Sequence, residues 1–176
     1  LHSMRRRQRQ MCIRDRFRLV KNGKLIEGVY EGETLNTPSM FCVADALDSL
    51  MWIKEIGGLT ETIRRSNENF KCLQGWVDKT PWIENLVSDP RNRSNTSVCL
   101  KFSDERLISL IPDEKTRFVK EFVALLEAEN AAFDIKGHRN APPGLRIWCG
   151  ATINLDDIQK LLPWLEYCFH EIISSY

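Results

Sequence analysis

Ala132–Gly150 reads AFDIKGHRNAPPGLRIWCG, and the fold of the C-terminal half turns on how this stretch is taken. Ala132–Lys136 is short and extended in pattern, the Ala-Pro-Pro-Gly segment forces a bend because proline fixes φ, and Leu145–Cys149 comes back as a second strand. Along the returning strand side chains alternate, so Leu145, Ile147 and Cys149 share one face while Arg146, Trp148 and Gly150 share the other. If the aliphatic row faces a core, Arg146 points off the sheet beside an indole.

The neighbouring segments supply that core. Ser94–Phe102 alternates in its second half, with Val98, Leu100 and Phe102 on one side. Asp113–Glu129 is an amphipathic helix whose stripe is Phe118, Phe122, Leu125 and Leu126, with Asp113 placed to cap it. Asn154, with Asp157 three residues on, starts another helix that runs through Leu165, Phe169 and Ile172. Pro163 marks a kink in it or the first turn of a second segment. The order after residue 93 is strand, helix, strand, strand, helix. That order predicts an α/β chain with α+β character in its C-terminal part, a small mixed or antiparallel sheet covered by helices.

Upstream, Phe17–Tyr30 is extended and broken at Asn22-Gly23, a strong hairpin signal. Residues 31–38 form a polar connector. Val43, Leu47, Leu50 and Met51 recur at helical spacing up to the stop at Gly57-Gly58. A second helix runs from Thr60 to Lys79, with Ile63, Phe70, Leu73 and Val77 on one side, and Pro81 ends the pattern.

The chain has 176 residues, 43% hydrophobic and 28% charged, enough for one sizeable core. No run of 18 apolar residues is present and no apolar stretch follows the charged N-terminus, so a soluble, cytoplasmic protein is expected. Residues 1–18 hold seven arginines against one aspartate, a net of +6, and the 18 basic and 23 acidic residues of the remainder leave −5. A basic arm on an acidic body could bind nucleic acid. The stretch RRRQRQMCIRDR, Arg5–Arg16, has no interleaved aromatics, and MCIRDR resembles a translated sequencing adapter. Residues 1–16 are therefore read as a disordered tail or a sequencing or cloning artefact. The six cysteines are scattered without a C-x-x-C pair and only three histidines are present, which favours reduced core thiols and argues against zinc.

Few residues could carry chemistry. P-loop, GxSxG, HExxH and Rossmann patterns are all missing from the sequence. Arg146 suits fork-like capture of a carboxylate, and the adjacent pair His138 and Arg139 suits a second anion such as a phosphoryl group. Both are also what a solvated hairpin carries. Asn36-Thr37-Pro38-Ser39 could cradle a phosphate at a helix start or simply cap that helix. Glu166 stands alone as a carboxylate, and no catalytic set is complete.

Three stretches, Gly32–Leu59, Asp78–Phe102 and Phe133–Phe169, agree in order and spacing with one family. Together they resemble the C-terminal part of phosphoserine aminotransferases, of the branch found in alphaproteobacteria and some archaea, over Phe17–Ile173. The resemblance implies a fold type I enzyme dependent on pyridoxal 5'-phosphate, a homodimer about twice this length that exchanges amino groups between phosphoserine with 2-oxoglutarate and 3-phosphohydroxypyruvate with glutamate. Residues 17–80 would be the end of the large domain with bridging helices, and 81–176 the small C-terminal domain. Asn36 and Thr37 would reach the cofactor phosphate of the other subunit. Arg146 would hold the substrate α-carboxylate, and His138 with Arg139 the phosphoryl end. The family's Schiff-base lysine has no counterpart here, since Lys21 and Lys24 flank a turn past its expected place, so the chain would contain no catalytic residue and would be inactive alone. A relative acting on serine with glyoxylate, or a non-enzymatic ligand-binding or regulatory domain, are the competing readings.

Overall fold

The computed structural model describes residues 20–31 and 39–176. The chain divides into two compact units between Trp52 and Ile53. In the first, β1 (Val20–Lys21) and β2 (Lys24–Leu25) pair antiparallel, Val20 opposite Leu25. Asn22 and Gly23 both take positive φ, 54° and 76°, which is what a two-residue turn of this hand demands. The expected extension to Tyr30 does not persist: Glu27–Glu31 forms a 3-10 helix. A two-residue ribbon offers these backbone groups no further partner strand, and a 3-10 turn pairs them locally.

Helix α1 (Met40–Glu55) starts where the Ser39 hydroxyl accepts the Cys42 N–H at 3.4 Å. It buries none of its residues, so the apolar stripe of Val43, Leu47, Leu50 and Met51 is exposed. Gly57 and Gly58, with φ of 115° and 74°, separate α1 from α2 (Gly58–Val77). In α2 the expected apolar side holds only in its second half. Leu73 and Val77 are buried and Phe70 partly so, whereas Ile63 is exposed and Ser66 and Asn69 are buried instead.

The second unit centres on three antiparallel strands in the order β3-β4-β5, formed by Ile83–Asn85, Ser97–Phe102 and Leu145–Trp148. Ile83 pairs with Phe102, and Val98 with Ile147. The sheet is thus antiparallel and the α/β expectation of a small sheet covered by helices is met. Two short elements escaped the periodicity, β3 and the one-turn helix α3 (Glu105–Ile108). Helix α4 (Pro112–Ala128) begins one residue earlier than predicted, with Ile111 as its boundary residue. Asp113 is therefore not the cap but lies in the first turn, where its charge meets the helix dipole.

Helix α5 (Leu155–Ile173) packs against both α2 and α4 and runs through Pro163 as one element. Pro163 and Gln159 are both exposed, so the proline lies on the solvent side of the helix, away from the core. An aromatic stack ties the layers: Trp82 lies parallel to Phe169 at 4.1 Å, and Phe102 meets Phe118 and Phe122 edge-on at 4.9 and 5.2 Å. Glu166 accepts the indole N–H groups of Trp76 and Trp82 at 2.8 and 3.1 Å and the Thr80 hydroxyl at 3.3 Å. Its oxygens are thus committed to holding α5 on the α2–β3 turn. Among the described residues no helix is long and apolar enough to cross a membrane.

Candidate functional site

The site is built on β5 and the loop before it. Leu145, Ile147 and Cys149 are almost wholly buried, which turns Arg146 and Trp148 to the other face as the alternation predicts. The predicted strand over Ala132–Lys136 reduces to a single bridge, Lys136 opposite Leu145, flanked by Gly137 N–H to Gly144 O at 2.9 Å and Arg146 N–H to Ile135 O at 2.7 Å. Asp134 takes a left-handed φ of 53°, and one such residue ends an extended run. The hydrogen-bonded turn also falls earlier than the prolines, with Ala141 N–H donating to His138 O at 2.8 Å. Proline has no N–H with which to close such a turn.

Arg146 is half-buried, its side chain 38% exposed, in the wall of a concavity of about 400 Å³. Ser97, Phe133, Asp134, Ile135 and Trp148 line the rest. The guanidinium Nη2 lies 3.5 Å from Asp134 Oδ2, and Asp134 is the one carboxylate in that wall. Trp148 is held by two contacts. Its Nε1 donates to Thr152 Oγ1 at 3.2 Å, and its ring lies over Gly150, where a Cβ would come within 2.4 Å of the indole.

The turn behind the indole is fixed from α2. The Asn69 side chain, 1% exposed, donates towards the carbonyls of Cys149, Gly150 and Ile153 at 3.4, 3.4 and 2.9 Å. Arg65 adds Nε to Ala151 O at 2.9 Å and Nη2 to Asn154 Oδ1 at 2.8 Å. Neither residue was marked by the sequence reading. The signal that could have found Asn69 is an amide on the same helical side as Leu73 and Val77.

His138 and Arg139 line a different concavity, of about 210 Å³, with Lys136 and Thr116. His138 Nδ1 accepts the Asn140 N–H at 3.2 Å, which leaves Nε2 as the ring's donor nitrogen. The two concavities share no lining residue. The structure therefore gathers the three predicted anion-binding residues on one loop and strand but not into one pocket. Asn36 and Thr37 lie outside the described residues.

Burial pushes the Cys149 thiol up to about 12 and the Cys168 thiol up to about 11, so neither ionises near neutral pH. Among the described residues no group of three His, Cys, Asp or Glu side chains could hold a metal ion. His170 is exposed on α5, 3.9 Å from Glu166.

A small antiparallel sheet covered by helices is the architecture of a small subdomain of fold type I pyridoxal-phosphate aminotransferases. Solved structures agree with that fold. A phosphoserine aminotransferase from Bacillus circulans subsp. alkalophilus superposes with a TM-score of 0.66 at 24% identity, over 81% of this chain and 36% of that one. A pyridoxal-phosphate-bound phosphoserine aminotransferase from Trichomonas vaginalis gives 0.66 at 23%, over 85% and 40%. No protein-family model matches the chain. Among relatives by sequence, the phosphoserine aminotransferase of Methanosarcina mazei is 43% identical over 155 residues, 87% of this chain and 39% of the relative. That of Methanosarcina barkeri is 43% identical over 156 residues, 88% and 39%. The chain belongs to the phosphoserine aminotransferase family, and it spans about two fifths of the length of the relatives it matches.

Proposed function

We propose that this chain is the C-terminal part of a cytoplasmic, homodimeric transaminase of serine biosynthesis that interconverts phosphoserine and 2-oxoglutarate with 3-phosphohydroxypyruvate and glutamate. The observation that carries the reading is Arg146, a half-buried guanidinium on a rigid strand, in a chain 43% identical to proteins named phosphoserine aminotransferase. Its planar fork suits the two oxygens of an α-carboxylate. Trp148 gives the adjoining wall an apolar face for the substrate carbons. His138 Nε2 and Arg139 receive a phosphoryl group.

These groups open on separate concavities, and in this reading the two ends of one substrate meet two copies of the chain. A dimer with shared active sites follows from this reading, as does a role for Asn36 and Thr37 at the cofactor phosphate of the partner. Residues 17–80 are read as the end of the large domain with bridging helices. Residues 81–176 are the small domain, whose core the second half of α2 joins.

Pyridoxal phosphate would supply the electron sink for amino transfer when bound. No buried side-chain nitrogen or oxygen among the described residues lacks a partner, and the wall around Arg146 contains no lysine. This chain's described residues are thus given a substrate-holding role, and the 176 residues alone are proposed to be inactive.

The test is kinetic, in the full-length protein that carries this chain. Arg146→Ala should lower kcat/KM for phosphoserine by roughly 10- to 100-fold, the loss expected when a hydrogen-bonded charge pair is removed. Replacing His138 and Arg139 by alanine should impair phosphoserine far more than serine. Equal losses on both substrates would move the assignment to a small-amino-acid transaminase of the serine–glyoxylate kind. Turnover by the 176-residue chain with added pyridoxal phosphate would refute its inactivity.

A further inference from the structure

We propose that Asp134 is an internal carboxylate that occupies Arg146 when no substrate is present and competes with the incoming substrate carboxylate. The inference rests on the reading of Arg146 as the carboxylate anchor. Three features of the pair support it. The contact is single and long, Nη2 to Oδ2 at 3.5 Å, so it leaves the paired donors of the fork unused. Asp134 makes no other side-chain hydrogen bond among the described residues and is 90% exposed, so water can receive it when it swings away. Its position beside the guanidinium is set by the backbone, through Arg146 N–H to Ile135 O at 2.7 Å and the left-handed turn at Asp134 itself.

An anion that offers one oxygen gains little over the contact already there. A carboxylate that presents two oxygens in the plane of the fork forms two short charge-assisted bonds and displaces Asp134. The pair therefore weakens the binding of any anion at the anchor, carboxylate and phosphate alike. Asp134 acts through Arg146 and lowers the affinity of the anchor; it touches no reacting atom.

The measurement is calorimetric binding of glutarate, a dicarboxylate with no keto or amino group to react, to the full-length protein. Asp134→Asn keeps the shape and tolerates positive φ, and Asp134→Gly does so without a side chain. Both should tighten the glutarate Kd roughly two- to fivefold, the scale of an exposed ion pair, and inorganic phosphate should become a better competitor. In an Arg146→Ala background the gain should vanish. Unchanged or weaker binding in both Asp134 variants, with Arg146→Ala still weakening binding, would overturn the inference while leaving the anchor in place. Wild-type binding by Arg146→Ala would instead overturn the anchor, and the inference with it.

Discussion

Gly144 and Gly150 bracket the strand that carries Arg146, and each lacks a Cβ for a different neighbour. At Gly144 a Cβ would lie 2.2 Å from the Leu100 carbonyl oxygen, a backbone atom inside the sheet that cannot step aside. At Gly150 the clash is with the Trp148 indole, which is 52% exposed and free to swing outward. The same substitution should therefore have opposite signatures. Gly144→Ala should cost about 1–3 kcal/mol in urea unfolding, as overpacking of a fixed surface does. Gly150→Ala should leave stability nearly unchanged but free the indole from Thr152, which a red shift of tryptophan emission and weaker glutarate binding would report. A large stability loss in Gly150→Ala, or none in Gly144→Ala, would show that the flexible and rigid neighbours have been assigned the wrong way round.

At the level of elements, α2 does more than fill the core. Asn69 supplies the donor for three carbonyls of the turn that follows β5, all about eighty residues away in sequence. Asn69→Ala should cost about 1–3 kcal/mol, the penalty of leaving buried acceptors unpaired, and should loosen Trp148 before the sheet itself melts. Hydrogen exchange at Ala151–Asn154 faster than at Val98–Leu100 would check this; uniform loss of protection would contradict it. Such a tie also marks the boundary of what could be read from sequence. Asn22-Gly23 announced its hairpin and Leu145–Cys149 its alternation, because both signals are local and the structure keeps them. β3 is only three residues long, too short for a period to declare itself, and pairs across fifteen residues or more with β4. Asp134 could not be foreseen in a left-handed turn, and it is this residue that dissolves the predicted strand. For the candidate site, the outward direction of Arg146 was legible, whereas its separation from His138 and Arg139 was not, since it depends on how the loop folds against α4.

At the scale of the molecule, every buried hydrophobic side chain among the described residues lies between Leu73 and Ile173. By contrast α1 exposes Met40, Phe41, Val43, Leu47, Leu50 and Met51, a run of apolar surface of the kind that marks an interaction site or an association hazard. Between the two stand Gly57 and Gly58 at positive φ, where the α1 geometry stops and α2 starts afresh. The core should therefore not need α1. Ile53–Tyr176 expressed alone should unfold cooperatively with a midpoint within about 4 °C of the 176-residue chain, the shift that roughly 1 kcal/mol produces at this size. It should also bind less of a hydrophobic dye and self-associate less, because the exposed stripe is gone. Replacing Leu47 and Leu50 by lysine in the longer chain should reproduce the second effect without touching the first, as exposed positions carry little of the fold's free energy. A shortened chain that melts far lower, or a lysine variant that unfolds, would mean that α1 belongs to the core after all and that its apolar stripe is structural in this chain.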